Sequence, residues 1–451
     1  MPILHFDRAL TPAGWRRDVR ITVEQGTMVS VEPDSGIAGD AERHGIGLPG
    51  VASLHSHAFQ RGMAGLAEVA GTGVDTFWTW REVMYRFALT MSPEDVEAVA
   101  TQLYVEMLEA GFTRVGEFHY LHHDLDGRPY ANLAEMAERI AAAAQASGIG
   151  LTLLPVFYAH SDFGGAPPTE GQRRFICDPD RFAALHAASA RVVAGMEAAN
   201  IGIAPHSLRA VGPEELREIL PLAAGGPVHI HAAEQVKEVE DCLAWSRVRP
   251  IDWLLDHAGV NHRWCVIHAT HMTETETQRL AVSGAVAGLC PITEANLGDG
   301  TFGASEFLAA GGGFGIGTDS NVSIGIAEEL RQLEYAQRLR RRQRNVLARP
   351  GGSTGRALLE AALAGGNQAL GRPEGGLAPG APADIVSLRA DHPSLAAHDG
   401  DAMIDTWIFA GGKALVDCVW TSGVKRVQDG RHFGRQEAGR GFSAALNRLT
   451  G

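Results

Sequence analysis

The chain has 451 residues, of which 45% are hydrophobic and 20% are charged, and its formal net charge is −14. This length and composition are typical of a globular protein with one large domain and a smaller one. The acidic balance argues against nucleic acid and against an anionic membrane surface as partners, and no apolar run is long enough to predict a membrane span.

The first fifty residues have the pattern of short strands. Segments 19–23 and 28–31 flank the dipeptide Gln25-Gly26, which is typical of a hairpin turn. From about residue 50 the pattern changes to a strand followed by a helix, repeated. The first such strand is predicted at 51–57. A helix is predicted at 92–111, because Ser92 is suited to cap its start and Pro93 to its first position.

Seven further strands are predicted, with helical runs between most of them, at 113–120, 150–158, 201–207, 228–234, 265–268, 285–290 and 314–319. Eight strand–helix units predict an α/β fold, a (β/α)8 barrel of the TIM type. A doubly wound sheet is the alternative. We prefer the barrel because residues capable of chemistry stand at the C-terminal ends of several strands, where that fold builds its active site.

After about residue 372 the chain returns to short strands, predicted at 384–388, 406–409, 414–420 and 424–428, and it ends in a short helix at 442–449. Both terminal segments are therefore rich in strands, and we expect them to pair into one small β-sandwich beside the barrel. The predicted domains are a composite β-sandwich of residues 1–48 and 372–451 and a barrel of residues 49–371.

The cysteines predict a reducing compartment. Five of them are dispersed along the chain without a C-x-x-C pair. An odd and scattered set is typical of free thiols in a cytoplasmic protein. The first residues lack a basic region followed by an apolar core, so we expect no signal peptide and a cytoplasmic location.

Several predicted strands end on side chains that bind metals. Because a strand has a period of two, His55 and His57 point to the same side. His231 and Asp319 come from the ends of two other strands. Three imidazoles and one carboxylate, with room for a water molecule, are typical of a catalytic zinc site. We therefore predict one metal ion held by these four residues, zinc in the first place, although iron or manganese suits the same ligands.

Two residues near these ligands are predicted to act on protons or charge. Glu234 follows His231 by three residues, so it can reach over the metal as a general acid–base group. His268 ends the next strand and can hydrogen-bond the developing tetrahedral centre, whereas His271 falls past that strand end. Asp319 can also accept a proton from the reacting water. The predicted catalytic residues are therefore Glu234, His268 and Asp319.

The lysine content favours one metal ion over two. Two-metal barrels commonly need a carbamylated lysine from a middle strand as a bridging ligand. The chain contains only Lys237, Lys413 and Lys425, and none lies on the third or fourth predicted strand. A site with one metal favours a deaminase-type reaction over the ring hydrolysis of a hydantoinase-like enzyme.

Longer motifs surround these residues: LHSHAFQR at 54–61, FWTWR at 77–81, EFHY at 117–120, PHSLR at 205–209, CPITEANLGDG at 290–300 and PADIV at 382–386. Together they resemble the amidohydrolase superfamily, in its branch of mononuclear aminohydrolases, over nearly the whole chain. The resemblance extends to the members that remove ammonia from N-formimidoyl-L-glutamate in histidine degradation. It implies that activity and a homodimer.

Such a substrate carries an amidine carbon for attack by water and two carboxylates. Carboxylates are bound bidentately by guanidinium groups, for which Arg81 and Arg209 are the candidates. Gln60, Tyr120 and His206, which lie just after or at the ends of predicted strands, are further candidates to hydrogen-bond the substrate. The partner implied is thus a small-molecule dicarboxylate.

Two other functions stay open at this point. A nucleobase or purine-metabolite aminohydrolase, such as a guanine or cytosine deaminase, would use the same metal site. A flat heterocycle, however, favours aromatic walls and amide groups over two arginines. A non-catalytic binding or assembly protein on a barrel fold predicts a damaged site, whereas each predicted metal ligand is intact.

Overall fold

The computed structural model describes residues 2–37, 39–373 and 375–451. Its strands, in chain order, are β1 (Ile3–Thr11), β2 (Gly14–Glu24), β3 (Thr27–Glu32), β4 (Glu42–Pro49), β5 (Val51–Ser56), β6 (Phe112–His119), β7 (Gly150–Phe157), β8 (Ala199–Ile201), β9 (Ala204–Pro205), β10 (Val228–Ala232), β11 (Trp264–His268), β12 (Val286–Leu289), β13 (Gly313–Ile316), β14 (Ile385–Leu388), β15 (Val416–Thr421), β16 (Val424–Gln428) and β17 (Arg431–His432).

The α-helices are α1 (Phe77–Ala88), α2 (Pro93–Glu109), α3 (Glu135–Ser147), α4 (Pro179–Ala194), α5 (Pro213–Ile219), α6 (Val236–Ser246), α7 (Pro250–His257), α8 (Glu274–Ser283), α9 (Pro291–Leu297), α10 (Ala304–Ala309), α11 (Ile326–Arg341), α12 (Thr354–Ala369), α13 (Asp401–Thr406) and α14 (Arg435–Thr450). Within the described residues, none of these helices has both the length and the apolar content needed to cross a membrane.

The two terminal segments pair with each other, as the sequence predicts, and the strands of both belong to one sheet. Its strand order is β17-β16-β15-β14-β4-β1-β2-β3. Strand β4 joins the segments, because it pairs parallel with β1 and antiparallel with β14. The turn between β2 and β3 has φ angles of 46° at Gln25 and 78° at Gly26, which is the backbone of a tight hairpin turn. The strands enclose a separate apolar core that includes Phe6, Ile21 and Trp420.

The middle of the chain forms the predicted barrel. Strands β5-β6-β7-β8 form one parallel sheet, in which β9 also pairs with β7, and β10-β11-β12-β13 form another. Isolated bridges join the sheets at both edges, among them those between Ser56 and Asp319 and between Ile203 and Val228. The inner strands β5, β6 and β7 are buried along their whole length, as expected where helices cover a parallel sheet. The predicted α/β class and TIM-type barrel are confirmed.

Some predicted elements differ in the structure. The strand predicted at 406–409 is wrong, because α13 runs to Thr406 and a π-helical turn continues over Trp407–Gly411. The buried apolar residues there are Met403, Ile404, Trp407 and Ile408, a spacing that fits a helix and not an alternating strand. The strand predicted at 201–207 is interrupted between β8 and β9. The short C-terminal helix extends over the whole of α14.

Candidate active site

The four predicted metal ligands meet at the C-terminal ends of the barrel strands. His55 lies on β5 and His231 on β10, while His57 and Asp319 follow the ends of β5 and β13. Their ligand atoms all lie within 4.8 Å of one another. Nε2 of His231 is 3.1 Å from Nε2 of His55, and Oδ1 of Asp319 is 3.2 Å from Nε2 of His57. We call these four residues the metal-ligand group.

The backbone fixes the direction of this group. His57 Nδ1 donates to the carbonyl of Phe118 at 3.0 Å, and His231 Nδ1 donates to the carbonyl of His206 at 3.0 Å. Each bond turns the Nε2 lone pair of its ring towards the other ligands, as is typical of histidines that bind metals. The side chain of Asn321 donates to the carbonyls of His57 and Asp319 at 3.0 and 2.8 Å, which ties β5 to the loop after β13.

The electrostatics of the metal-ligand group fit a cation. Burial, reinforced by the neighbouring imidazoles, holds the pKa of His55 and of His231 well below its usual range. Burial also lowers the pKa of His57, and Asp319 offsets only part of that effect. Neutral imidazoles and a carboxylate that face one another repel through their lone pairs. Three nitrogens and one oxygen at this spacing therefore fit a metal ion.

Glu234 and His268 lie beside the metal-ligand group and are both buried. Nε2 of His268 is 3.7 Å from Oε1 of Glu234 and 3.8 Å from Oδ2 of Asp319. The backbone of Glu234 is held in place by the carboxylate of Glu238, which accepts the amide hydrogens of Ala233 and Glu234 at 3.1 Å each. The sequence analysis did not identify Glu238. This residue lies on α6, four residues after Glu234, and that spacing was the signal that could have identified it.

The charges of these two residues depend on each other. Burial raises the pKa of Glu234 to about 7, against the lowering effects of His268 and Arg209. Burial alone would lower the pKa of His268, but Glu234, together with Glu294 and Asp319, outweighs it and raises the pKa to about 10. A carboxyl group with a pKa near neutrality is suited to take up and release a proton.

A pocket of about 540 Å³ opens above the metal-ligand group. All five predicted substrate residues line it, as do three of the predicted ligands and both acid–base candidates. The lining residues are His57, Gln60, Phe77, Trp80, Arg81, Met84, Tyr85, Tyr120, Tyr158, Phe175, His206, Arg209, His231, Glu234, His268, Leu297 and Asp319. His271, the disfavoured alternative to His268, is not among them, and its Nε2 lies 2.8 Å from the carbonyl of Asp299.

One face of α1 forms a wall of the pocket. Phe77, Trp80, Arg81, Met84 and Tyr85 all line it, and their spacing is that of one side of a helix. Sequence reasoning singled out the FWTWR motif but assigned a role to Arg81 alone. The apolar spacing from Phe77 to Tyr85 was the signal that could have identified the other four.

The two arginines share aromatic neighbours. The guanidinium carbon of Arg81 lies 4.5 Å from the ring centre of Trp78, and that of Arg209 lies 5.6 Å from the same ring. Arg209 is buried, and its Nη2 is 3.8 Å from Oε2 of Glu234. Among the described residues, its Nε has no hydrogen-bond partner. The site therefore offers a buried cationic donor close to the acid–base pair, suited to an anionic ligand.

The remaining predicted substrate residues are close together. Gln60 Nε2 donates to the hydroxyl of Tyr120 at 2.9 Å, while Gln60 Oε1 finds no partner in the described part of the chain. His206 lies 3.1 Å from the hydroxyl of Ser207 through its Nδ1, and its ring packs on Tyr158. These groups give the pocket further polar atoms.

A barrel whose strand ends carry three histidines and an aspartate around one point belongs to the class of metal-dependent hydrolases. The chain belongs to the Amidohydrolase family, whose sequence pattern matches residues 46–425. Residues 1–45 match the pattern described as formimidoylglutamate deiminase HutF, N-terminal domain. Members of this family depend on a metal, and the metal-ligand group could hold one.

Individual relatives agree with this assignment. The chain is 53% identical to a formimidoylglutamate deiminase of Pseudomonas aeruginosa, with 100% of both chains covered. It is 61% identical to an amidohydrolase from Brucella melitensis of known crystal structure, which superimposes with a TM-score of 0.98 over 100% of both chains. It is also 28% identical to an 8-oxoguanine deaminase of Pseudomonas aeruginosa, over 87% of this chain and 84% of that relative.

Proposed function

We propose that this protein hydrolyses N-formimidoyl-L-glutamate to N-formyl-L-glutamate and ammonia, a reaction of histidine degradation. The observation that carries the proposal is the pairing of two arginines, Arg81 and Arg209, with a metal-ligand group in one pocket. The full-length similarity to a formimidoylglutamate deiminase and the matching N-terminal pattern support it.

We propose zinc as the ion and His55, His57, His231 and Asp319 as its ligands. Mixed imidazole and carboxylate ligation supports zinc, although iron and manganese accept the same donors. Such an ion supplies a water molecule acidified to a pKa of ~7, which can attack at neutral pH. Metal analysis of the purified protein distinguishes the three ions.

The arginines would bind the two carboxylates of the substrate. Guanidinium groups form paired hydrogen bonds with carboxylates, and the free Nε of Arg209 is available for one of them. With the carboxylates held at Arg81 and Arg209, the formimidoyl group extends towards Glu234 and His268. Gln60, which keeps a free oxygen, would accept a hydrogen bond from a substrate N–H.

Proton transfer would depend on Glu234. It removes a proton from the attacking water as the water oxygen bonds to the formimidoyl carbon, and it delivers that proton to the imine nitrogen, which becomes an amine. His268 donates a hydrogen bond from Nε2 to the oxygen on which negative charge develops. Oδ2 of Asp319 lies 3.8 Å from Nε2 of His268, so Asp319 would take the hydroxyl proton of the tetrahedral centre, and this second proton lets the amine leave as ammonia. The carbon–nitrogen bond then breaks, ammonia leaves and the formyl group remains.

A nucleobase aminohydrolase is the second candidate. The aromatic side chains of Phe77, Trp80 and Tyr85 in the pocket wall and the 28% identity to an 8-oxoguanine deaminase favour it. A planar neutral ring, however, offers no carboxylate to the free Nε of the buried Arg209. The charge of the pocket therefore favours the dicarboxylate.

Ammonia release measured on N-formimidoyl-L-glutamate, guanine and cytosine tests the proposal, with the metal content determined on the same sample. We expect rapid release from N-formimidoyl-L-glutamate alone and about one equivalent of metal. Release from guanine or cytosine with an inert N-formimidoyl-L-glutamate would contradict the proposal. Metal-free protein that binds without turnover would favour a binding protein.

Three further properties stay predictions. The first is the division into a composite β-sandwich of residues 1–48 and 372–451 and a barrel of residues 49–371. The second is a homodimer, which light scattering of the purified protein checks. The third is a cytoplasmic location, which fractionation of the source cells checks.

A further inference from the structure

The motif CPITEANLGDG at 290–300 supplies a buried acid that the proposed reaction does not use. Its residues 291–297 form α9, which follows β12 at the end of the barrel that carries the site. Glu294 lies on this helix and is only 5% exposed. Its Oε1 accepts the amide hydrogen of Cys290 at 2.9 Å and lies 3.3 Å from Nδ1 of His268.

The backbone and ring plane of His268 are held by other contacts. Its φ is 66°, in the left-handed region that favours glycine, and the pairing of β10 with β11 places it opposite Ala232. Its ring stacks on His231 with centroids 5.6 Å apart and planes 25° apart. Stacking fixes the plane of an imidazole, but it does not choose between two orientations related by a half-turn, which exchange ring nitrogens with ring carbons.

We propose that Glu294 is the positioning residue that makes this choice. By accepting the hydrogen of Nδ1, it holds the orientation in which Nε2 of His268 faces Glu234 and Asp319. The bond from the Cys290 amide anchors the carboxylate itself. Among the described residues, the carboxylate of Glu294 bonds to the Cys290 amide and to His268, and Glu294 does not line the pocket, so its effect on the reaction would pass through His268. The inference rests on the proposed function, in which His268 contacts the reacting atoms.

The chain offers a matched control for this role. Glu329 is also a buried acid, and its Oε2 accepts the amide hydrogen of Ile292 at 2.9 Å, at the start of the same helix. Its Oε1 has no hydrogen-bond partner among the described residues, and Glu329 is not among the residues that line the pocket. A change at Glu329 therefore reproduces the loss of an acid that supports α9 without the loss of the contact to His268.

Steady-state kinetics of the metal-loaded variants E294A, E294Q and E329Q test the role. We expect E294A to lower kcat on N-formimidoyl-L-glutamate by about 10- to 100-fold, the usual cost of removing such a supporting partner, with KM and metal content unchanged. E294Q, whose amide oxygen can still accept, should lose less, and E329Q should resemble the wild type. An equal loss in E329Q, or loss of metal in E294A, would overturn the inference.

Two further readouts separate positioning from support of the fold. On an H268A background, E294A should cause no additional loss, because the two residues act as one unit. An additional loss of tenfold or more would overturn the proposal. Long-range ¹H–¹⁵N spectra of the metal-loaded protein should show the His268 ring changed in E294A and E294Q relative to the wild type, without any substrate. An unchanged ring would also overturn it, whereas an inactive wild-type enzyme would count against the proposed function alone.

Discussion

The metal-ligand group and the arginine wall differ in what holds their side chains. The ligands stand on strand ends, where His57 and His231 donate to backbone carbonyls of neighbouring strands. The arginines contact aromatic faces, and Arg209 keeps an Nε that bonds to none of the described residues. The barrel backbone therefore determines one end of the pocket, while side-chain packing determines the other.

This difference suggests that the two ends of the pocket have separate functions. At the metal-ligand end, His57 and His231 already make their supporting hydrogen bonds within the protein. The arginine end leaves a buried donor unpaired, and such a donor costs free energy until a ligand supplies the acceptor. Reaction and substrate selection should therefore be separable by mutation.

The largest effect should follow from breaking the metal-ligand group. We expect H55A and D319A to abolish turnover and to lose the metal while the barrel still folds, because each removes a ligand at the catalytic end of the strands. Metal analysis, circular dichroism and ammonia release check this. His262 is exposed and precedes β11, at the end of the strand opposite to His268, so H262A serves as the control. Folded H55A with full activity would refute the ligand assignment.

A change to the acid–base group that leaves the metal ligands intact should separate proton transfer from metal binding. E234Q should keep the metal and lose about 10²–10⁴-fold in kcat, because an amide can neither take the proton of the water nor pass it on. The exposed Glu240 provides the control variant E240Q. A loss below tenfold would transfer the role to another residue, with His268 next in line.

At the arginine end, R209M should act chiefly on substrate binding. We expect retained metal and a loss of about 10- to 100-fold in kcat/KM on N-formimidoyl-L-glutamate, the value of one charge-assisted hydrogen bond. Activity on a neutral formamidine without carboxylates should change little. Arg279, which pairs with Asp252 and Asp256, provides the control R279M. Equal losses on both substrates would reject the carboxylate role.

A smaller effect is expected for R81M. Arg81 lies on α1 and is half-buried, so water already solvates part of its charge and weakens its contact with a carboxylate. We expect a loss of up to about tenfold in kcat/KM, mostly through KM. A full kinetic comparison of R81M with R209M checks this. A larger loss in R81M than in R209M would mean that α1 carries the main carboxylate contact.

The same difference between the two ends of the pocket explains which parts of the site could be predicted from the sequence. The metal-ligand group could be predicted from the sequence for two reasons. The period of a strand places His55 and His57 on one side, and the parallel strands of a barrel bring their ends together. The eight strand–helix units followed from the same periodicity. These features are local in the sequence or follow directly from the fold class.

The arginine wall needed information that is not local. Arg81 and Arg209 meet only because α1 packs over the mouth of the barrel, and no pattern within either segment predicts that contact. The resemblance to a family, and not the residue pattern, suggested that both arginines bind the same substrate. Glu294 was missed for the same reason, since it lies on helix α9 and its partner His268 lies on strand β11. The wrong strand at 406–409 arose because a short apolar run fits a helix equally well.

The most direct test measures kcat/KM on N-formimidoyl-L-glutamate and on a neutral formamidine and takes the ratio of the two values. This ratio is compared between the wild type and the R81M/R209M double variant at equal metal content. We predict a high ratio in the wild type and a ratio at least about 10-fold lower in the double variant, which should still hydrolyse the neutral formamidine. A ratio that does not change, or a neutral reaction lost in parallel, would contradict the claim that one end of the pocket performs the reaction and the other selects the dicarboxylate.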